Sequence, residues 1–131
     1  MSAIFAPPLQ QNKQFTVDLS QNPASSPFDI ATASGGPVMI DGVTIYVSSA
    51  PATITSARIH TNQTNATDLM SAVEGAIANL TAQKNVVIAL ARPIYLAAGQ
   101  KIQLTLAGAQ GTGTLLLDLK FHSPTPGATL I

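Results

Sequence analysis

The chain has no cysteine and no tryptophan, and only 9% of its 131 residues are charged. Without cysteine, disulfides, thiolate metal sites and cysteine nucleophiles are excluded. The charged fraction lies far below the roughly 25% of an ordinary soluble domain, and it cancels, six Lys and Arg against six Asp and Glu. The cations Lys13, Arg58, Lys84, Arg92, Lys101 and Lys120 are scattered and have no aromatics interleaved. That argues against nucleic acid, where affinity draws on many contacts to phosphate. Long apolar runs are missing too, and no window approaches the roughly eighteen residues of a spanning helix. The opening MSAIFAPPLQQ lacks a basic n-region and is broken by Pro7 and Pro8, so it does not read as a signal peptide. The Asn-x-Thr triplets at Asn62, Asn65 and Asn79 are then better explained by a composition rich in Asn and Thr than by glycosylation.

What is present is alternation. The length suits one domain of about 100–150 residues. Residues 1–13 read as an extended arm carrying Ile4, Phe5 and Leu9, residues 14–122 as a single domain, and residues 123–131 as a Pro-punctuated tail ending in Leu130 and Ile131. Phe15, Val17 and Leu19 share one face of a strand, and Phe28–Thr32 suggests a short second one. Val38 and Ile40, then Val43, Ile45 and Val47, flank an Asp41-Gly42 pair. This pattern fits a type I′ hairpin or a bulged continuous strand. The TITSARIHT segment after Pro51 adds another strand.

Leu69, Val73, Ala76, Ile77 and Leu80 recur at helical spacing and predict one short amphipathic helix over 67–81, weakened by Gly75. Val86, Ile88 and Leu90 alternate with Val87, Ala89 and Ala91, so both faces of that strand are apolar, and Pro93 marks an edge or a switch point. Ile102, Leu104 and Leu106 share one face, AGAQGTG is expected to turn, and Leu115, Leu117, Leu119 and Phe121 line the last core face. Seven or eight short strands with one helix insert predict an all-β fold, an antiparallel β-sandwich of jelly-roll form with extended terminal arms. Its expected core is Val43, Ile45, Val47, Ile88, Leu90, Ile102, Leu104, Leu106, Leu115, Leu117 and Leu119.

Chemistry-bearing residues are few. His60 and His122 sit beside strand ends, and a pairing with Asp118 or Asp41 is conceivable. No Ser elbow, HExxH or paired-carboxylate spacing accompanies them, so they read as two polar rim histidines. Gly108, Gly111 and Gly113 lie between two strands, not between a strand and a helix, which favours a hairpin turn over a phosphate loop. Tyr46 and Tyr95 are the only rings available to stack a sugar, and each sits among aliphatics, as core or interface residues do. No catalytic, cofactor-binding or metal-ligating residue is assigned, and the chain reads as no enzyme.

Surplus apolar surface is the distinctive residue-level signal. Leu116 lies opposite Leu115 and Leu117, Val87, Ala89 and Ala91 form a second face, and both arms end in aliphatics. A monomer rarely exposes more than a few hundred Å² of contiguous apolar surface. The economical solution is a homo-oligomer, with Ile4, Phe5, Leu9, Leu130 and Ile131 reaching onto neighbours.

The stretch ARPIYLAAGQKIQLTLAGAQGTGTLLLDLKF (Ala91–Phe121) resembles the closing strands of small jelly-roll virion proteins of tailed bacteriophages, especially capsid decoration (cement) proteins. In these a Pro-containing strand end leads through an AGQ-like turn into an I-x-L-x-L strand, a Gly-rich hairpin and a final aliphatic strand. The resemblance covers about a quarter of the chain. It implies a non-enzymatic trimer on the outer surface of a phage head, assembled in the host cytoplasm, with the major capsid protein or another virion protein as partner. It implies no catalytic residues, and with the charge and hydropathy above no cofactor, nucleic-acid or membrane partner is expected. The alternative of the same fold is a receptor- or glycan-binding module of a phage tail or fibre, which needs a polar-aromatic pocket. A cupin-like metalloenzyme needs more ligands than two histidines.

Overall fold

The structure, a computed structural model, describes residues 10–21 and 27–131. Ile4, Phe5 and Leu9 therefore lie outside the described residues. Alternation of apolar and polar side chains produces β1 (Gln11–Asp18), β2 (Phe28–Ser34), β3 (Val38–Thr61), β4 (Asp68–Met70), β5 (Asn85–Ile88), β6 (Ile94–Leu96), β7 (Lys101–His122) and β8 (Thr129–Leu130). All pairings are antiparallel.

Strands β3 and β7 form the spine, a two-stranded ribbon paired from Met39 with His122 to Thr61 with Ile102. Register slips cluster between Val47 and Ser56, and there the ribbon bends. In the first half β5 and β6 flank β3 while β1 flanks β7. In the second half β4 flanks β3, β2 flanks β7, and β8 extends β2. The inner faces of the halves meet in one core containing Ile45, Leu117 and Leu119 from the first and Ile59, Ile102 and Leu104 from the second. This is the expected antiparallel sandwich. Every expected core residue is buried except Leu90, which is half-buried against the cluster. Each such side chain is worth roughly 1.5–3 kcal/mol of transfer free energy.

Three local expectations are corrected, and one open alternative is decided. AGAQGTG is no hairpin turn, because β7 runs through it without a break. The glycines serve the bend: Gly113 has φ of 121°, and a Cβ there would lie 2.8 Å from the Pro51 Cα. Only glycine accepts both conditions. At Asp41-Gly42 the bulged continuous strand forms rather than the hairpin, with the register slip between Ile40 and Gly42. One extra residue switches the inward positions from even (Val38, Ile40) to odd (Val43, Ile45, Val47), so all five remain buried.

The helix over 67–81 does not form. In its place stand β4, a turn and a single 3-10 turn at Ile77–Asn79. Its supposed apolar stripe divides, with Leu69 and Leu80 buried while Val73 and Ile77 face out. Backbone contacts decide this. The Gly75 carbonyl accepts from the Ala57 N–H at 2.9 Å, and Ala76 bridges Ser56.

The C-terminal tail is not a free arm. Thr129 and Leu130 pair with Ser34 and Ala33, and the Thr32 and Ile131 backbones exchange hydrogen bonds of 2.8 and 2.9 Å. The prolines Pro124 and Pro126 precede this strand, and β8 lies at a sheet edge, so no central ladder is interrupted.

Candidate functional site

Residues 67–96 run antiparallel along the free edge of β3 on both sides of the bend. The Thr61 N–H donates to the Thr67 carbonyl at 2.9 Å, and Met70 pairs with Ile59. Gly75 and Ala76 meet Ala57 and Ser56, and the Val47 N–H donates to the Lys84 carbonyl at 2.9 Å. Then β5 pairs with Val43–Tyr46 and β6 with Val38–Ile40. Of the five large apolar side chains exposed among the described residues, four lie on this run: Val73 (81% exposed), Ile77, Val87 (72%) and Tyr95 (51%). The fifth is Ile131. Val73, Ile77 and Val87 lie toward the bend, alongside the Ser56–Ala57 and Thr44 levels of β3.

The two outer faces of the sandwich differ. Cross-strand register in the first half gives outward rows Thr16–Leu116–Tyr46–Asn85 and Gln14–Asp118–Thr44–Val87. Leu116 and Tyr46 are half-buried, and Ala89 and Ala91 are exposed. This is the apolar second face expected from the sequence, here interleaved with polar groups. The side chains of Asp118, Lys120 and Lys84 have no ion-pair or hydrogen-bond partner among the described residues, so the surface offers charges of both signs.

The outer face of the second half is closed upon itself. Arg58 pairs with Asp68 at 2.6 Å and Lys101 with Asp29 at 2.7 Å. Gln103 Nε2 donates to Asp29 Oδ1 at 2.8 Å. The Lys101 hydrogen bond, followed by that of Gln103, holds the Asp29 carboxyl below the usual carboxylate range.

The histidines separate. His60 is buried and no rim residue: its Nδ1 meets the Thr61 carbonyl at 2.8 Å, and its Nε2 meets Thr105 Oγ1 at 2.8 Å. A carbonyl only accepts, so Nδ1 carries the proton and both ring nitrogens are satisfied. His122 Nδ1 lies 2.6 Å from Asp41 Oδ2, which realises one of the two conceivable pairings. The adjacent Ser123 hydroxyl donates to the Pro37 carbonyl and accepts the Thr125 N–H, so it shapes a turn and is not aimed at the imidazole as a nucleophile. Among the described residues no three His, Asp or Glu side chains gather as a metal site.

Away from the bend, the segment that follows β3 meets β6, the partner of the start of β3, at a cleft of about 450 Å³ lined by Gln63, Thr67, Arg92, Pro93, Ile94 and Tyr95. Gln63 Nε2 donates to the Tyr95 carbonyl at 2.7 Å and to Gln100 Oε1 at 2.8 Å, and Gln100 Oε1 also accepts the Ala97 N–H at 2.8 Å. Sequence reasoning identified Tyr95 but not its polar neighbours. Gln63 stands thirty-two positions away, and only the return of the chain to the start of β3 unites them.

No protein-family model and no curated protein matches the sequence. Among solved structures, the chain is similar to one in the acidic stable capsid structure of Helicobacter pylori bacteriophage KHP30, with 11% identity, TM-score 0.49, and coverage of 94% of this chain and 98% of that one. A second is from the extra small virus (XSV) VLP of the giant freshwater prawn Macrobrachium rosenbergii, with 11% identity, TM-score 0.36, and coverage of 95% and 86%. A third is from Bacillus endospore appendages, a family of disulfide-linked pili, with 12% identity, TM-score 0.31, and coverage of 93% and 96%. The present chain has no cysteine for such a link.

Of the residues expected to form an interface, Ile131 is exposed, whereas Leu130 is fully buried in the core and is removed from that set.

Proposed function

We propose that the protein is a non-enzymatic structural subunit that assembles with further copies of itself through the β3 edge near the bend. The observation that carries this reading is Val73, Ile77 and Val87 standing in solvent on an otherwise well-packed sandwich. A second copy is the occupant that fits, because the net charge is zero and unpaired Lys84, Lys120 and Asp118 offer both signs to an identical partner. The resemblance of Ala91–Phe121 directs the proposal further, to a virion protein of capsid decoration type, as a trimer on the outer surface of a phage head. There the N-terminal arm, with Ile4, Phe5 and Leu9, together with Ile131, engages the major capsid protein or another virion protein.

Fractionation of particles from cells that produce the chain tests the location. The chain should band with intact particles in a density gradient and be cleaved by protease added from outside. A chain left at the top of the gradient contradicts the virion reading.

A further inference from the structure

The cleft between β6 and the segment that follows β3 has a composition that assembly does not explain. Arg92 has no ion-pair or hydrogen-bond partner among the described residues, although Arg58 and Lys101 each hold a carboxylate. The Tyr95 side chain is half exposed beside it, with Pro93 between them in sequence and in the same wall. Thr67 also lines the cleft. The geometry points to a binding site for an acidic saccharide, a pyranose ring carrying a carboxylate. The guanidinium is the planar two-pronged donor that matches a carboxylate. The Tyr95 ring offers the apolar face on which a pyranose stacks, and Thr67 a partner for ring hydroxyls. The volume of about 450 Å³ suits one or two sugar rings.

An acidic peptide is the rival ligand, and the backbone disfavours it. A peptide adding to this edge would need the outward groups of β6 and of the turn after it. The Tyr95 carbonyl is already taken by Gln63, and the Ala97 N–H by Gln100. What remains open is side-chain chemistry, a cation, a ring and a hydroxyl. The inference is independent of the assembly reading, since Val73, Ile77 and Val87 lie midway along the edge run, toward the bend.

Amide NMR spectra of the full chain, titrated separately with 3′-sialyllactose, digalacturonate, lactose and a tetra-aspartate peptide, test the site. An acidic sugar should shift amides at Gln63, Thr67 and Arg92–Tyr95 at millimolar concentration, and the two acidic probes distinguish a sialate from a uronate. Arg92→Gln and Tyr95→Ala should each weaken binding roughly tenfold or more, the scale of losing a charged hydrogen bond or a stacked ring. Neither should alter the sedimentation coefficient, which reports on assembly alone. The site is overturned by an absence of shifts with both acidic sugars, by equal binding of lactose, by an unaffected Arg92→Gln protein, or by tighter binding of the peptide.

Discussion

The Lys13 ammonium donates to the Leu130 carbonyl at 2.7 Å, joining the first strand to the last. Gln11 Nε2 adds a bond to the Ala128 carbonyl at 3.3 Å. The tail thus spans from β2, its ladder partner, to β1, and drops Leu130 into the core between them. Leu130→Ala should therefore destabilise the isolated protein by about 2–4 kcal/mol, the cost of emptying a buried leucine site. Urea unfolding checks this. An unchanged midpoint would mean that the tail does not belong to the fold.

Gly75→Ala separates the observed edge run from the helix expected over 67–81, because the two give opposite signs. In an exposed helix the change would stabilise by about 1 kcal/mol. Here the new Cβ would lie 1.8 Å from the Ala57 carbonyl oxygen, a backbone atom within a paired strand. A loss of more than about 2 kcal/mol is expected, read as a fall in the thermal midpoint.

Asp29 supplies a pH dependence of known sign. Its folded-state pKa is lowered by Lys101 and Gln103. The stability it contributes is present above the unfolded carboxylate pKa and fades as pH falls through the lower folded value. The pair is exposed, so the contribution stays within about 1 kcal/mol after solvent screening. Asp29→Asn should flatten the stability profile on the acid side of the ordinary carboxylate range and leave it unchanged in slope above neutrality. Unfolding midpoints across acid pH measure it, and a profile that keeps its full acid slope contradicts the assignment.

Leu104→Asp should abolish folding, since Leu104 is fully buried and pairs with Ile59 on one side and Phe28 on the other. An unpaired charge there costs several kcal/mol. A soluble variant with a native amide spectrum would show the register to be wrong.

Where alternation was strict, as in Ile102–Leu104–Leu106 and Leu115–Leu117–Leu119, sequence and structure agree on which face is inside. Disagreement arises where local chemistry is ambiguous. Gly108–Gly113 looks like a chain reversal, and Asp41-Gly42 admits a reversal or a bulged strand, because glycine supports turns and strand bends equally. What selects the bend is Pro51 and its neighbours crossing at contact distance, a tertiary fact. The 3.6-residue spacing over 67–81 comes from two buried leucines and two exposed aliphatics that serve different surfaces. The tail pairs through backbone groups, which leave little trace in side-chain pattern. The exposed apolar strand at Val87 was legible because its alternate positions are also apolar. The cleft was not, because Arg92 and Tyr95 meet Gln63 and Thr67 only after the ribbon folds back.

Sedimentation velocity of the full chain at micromolar concentration, with and without Val87→Asp, tests the central claim of assembly through the β3 edge. The natural chain should sediment as a homo-oligomer, a trimer by the resemblance, and Val87→Asp, a change at a solvent-facing position, should sediment as a folded monomer. A natural chain that stays monomeric throughout, or an oligomer indifferent to Val87→Asp, would contradict the account.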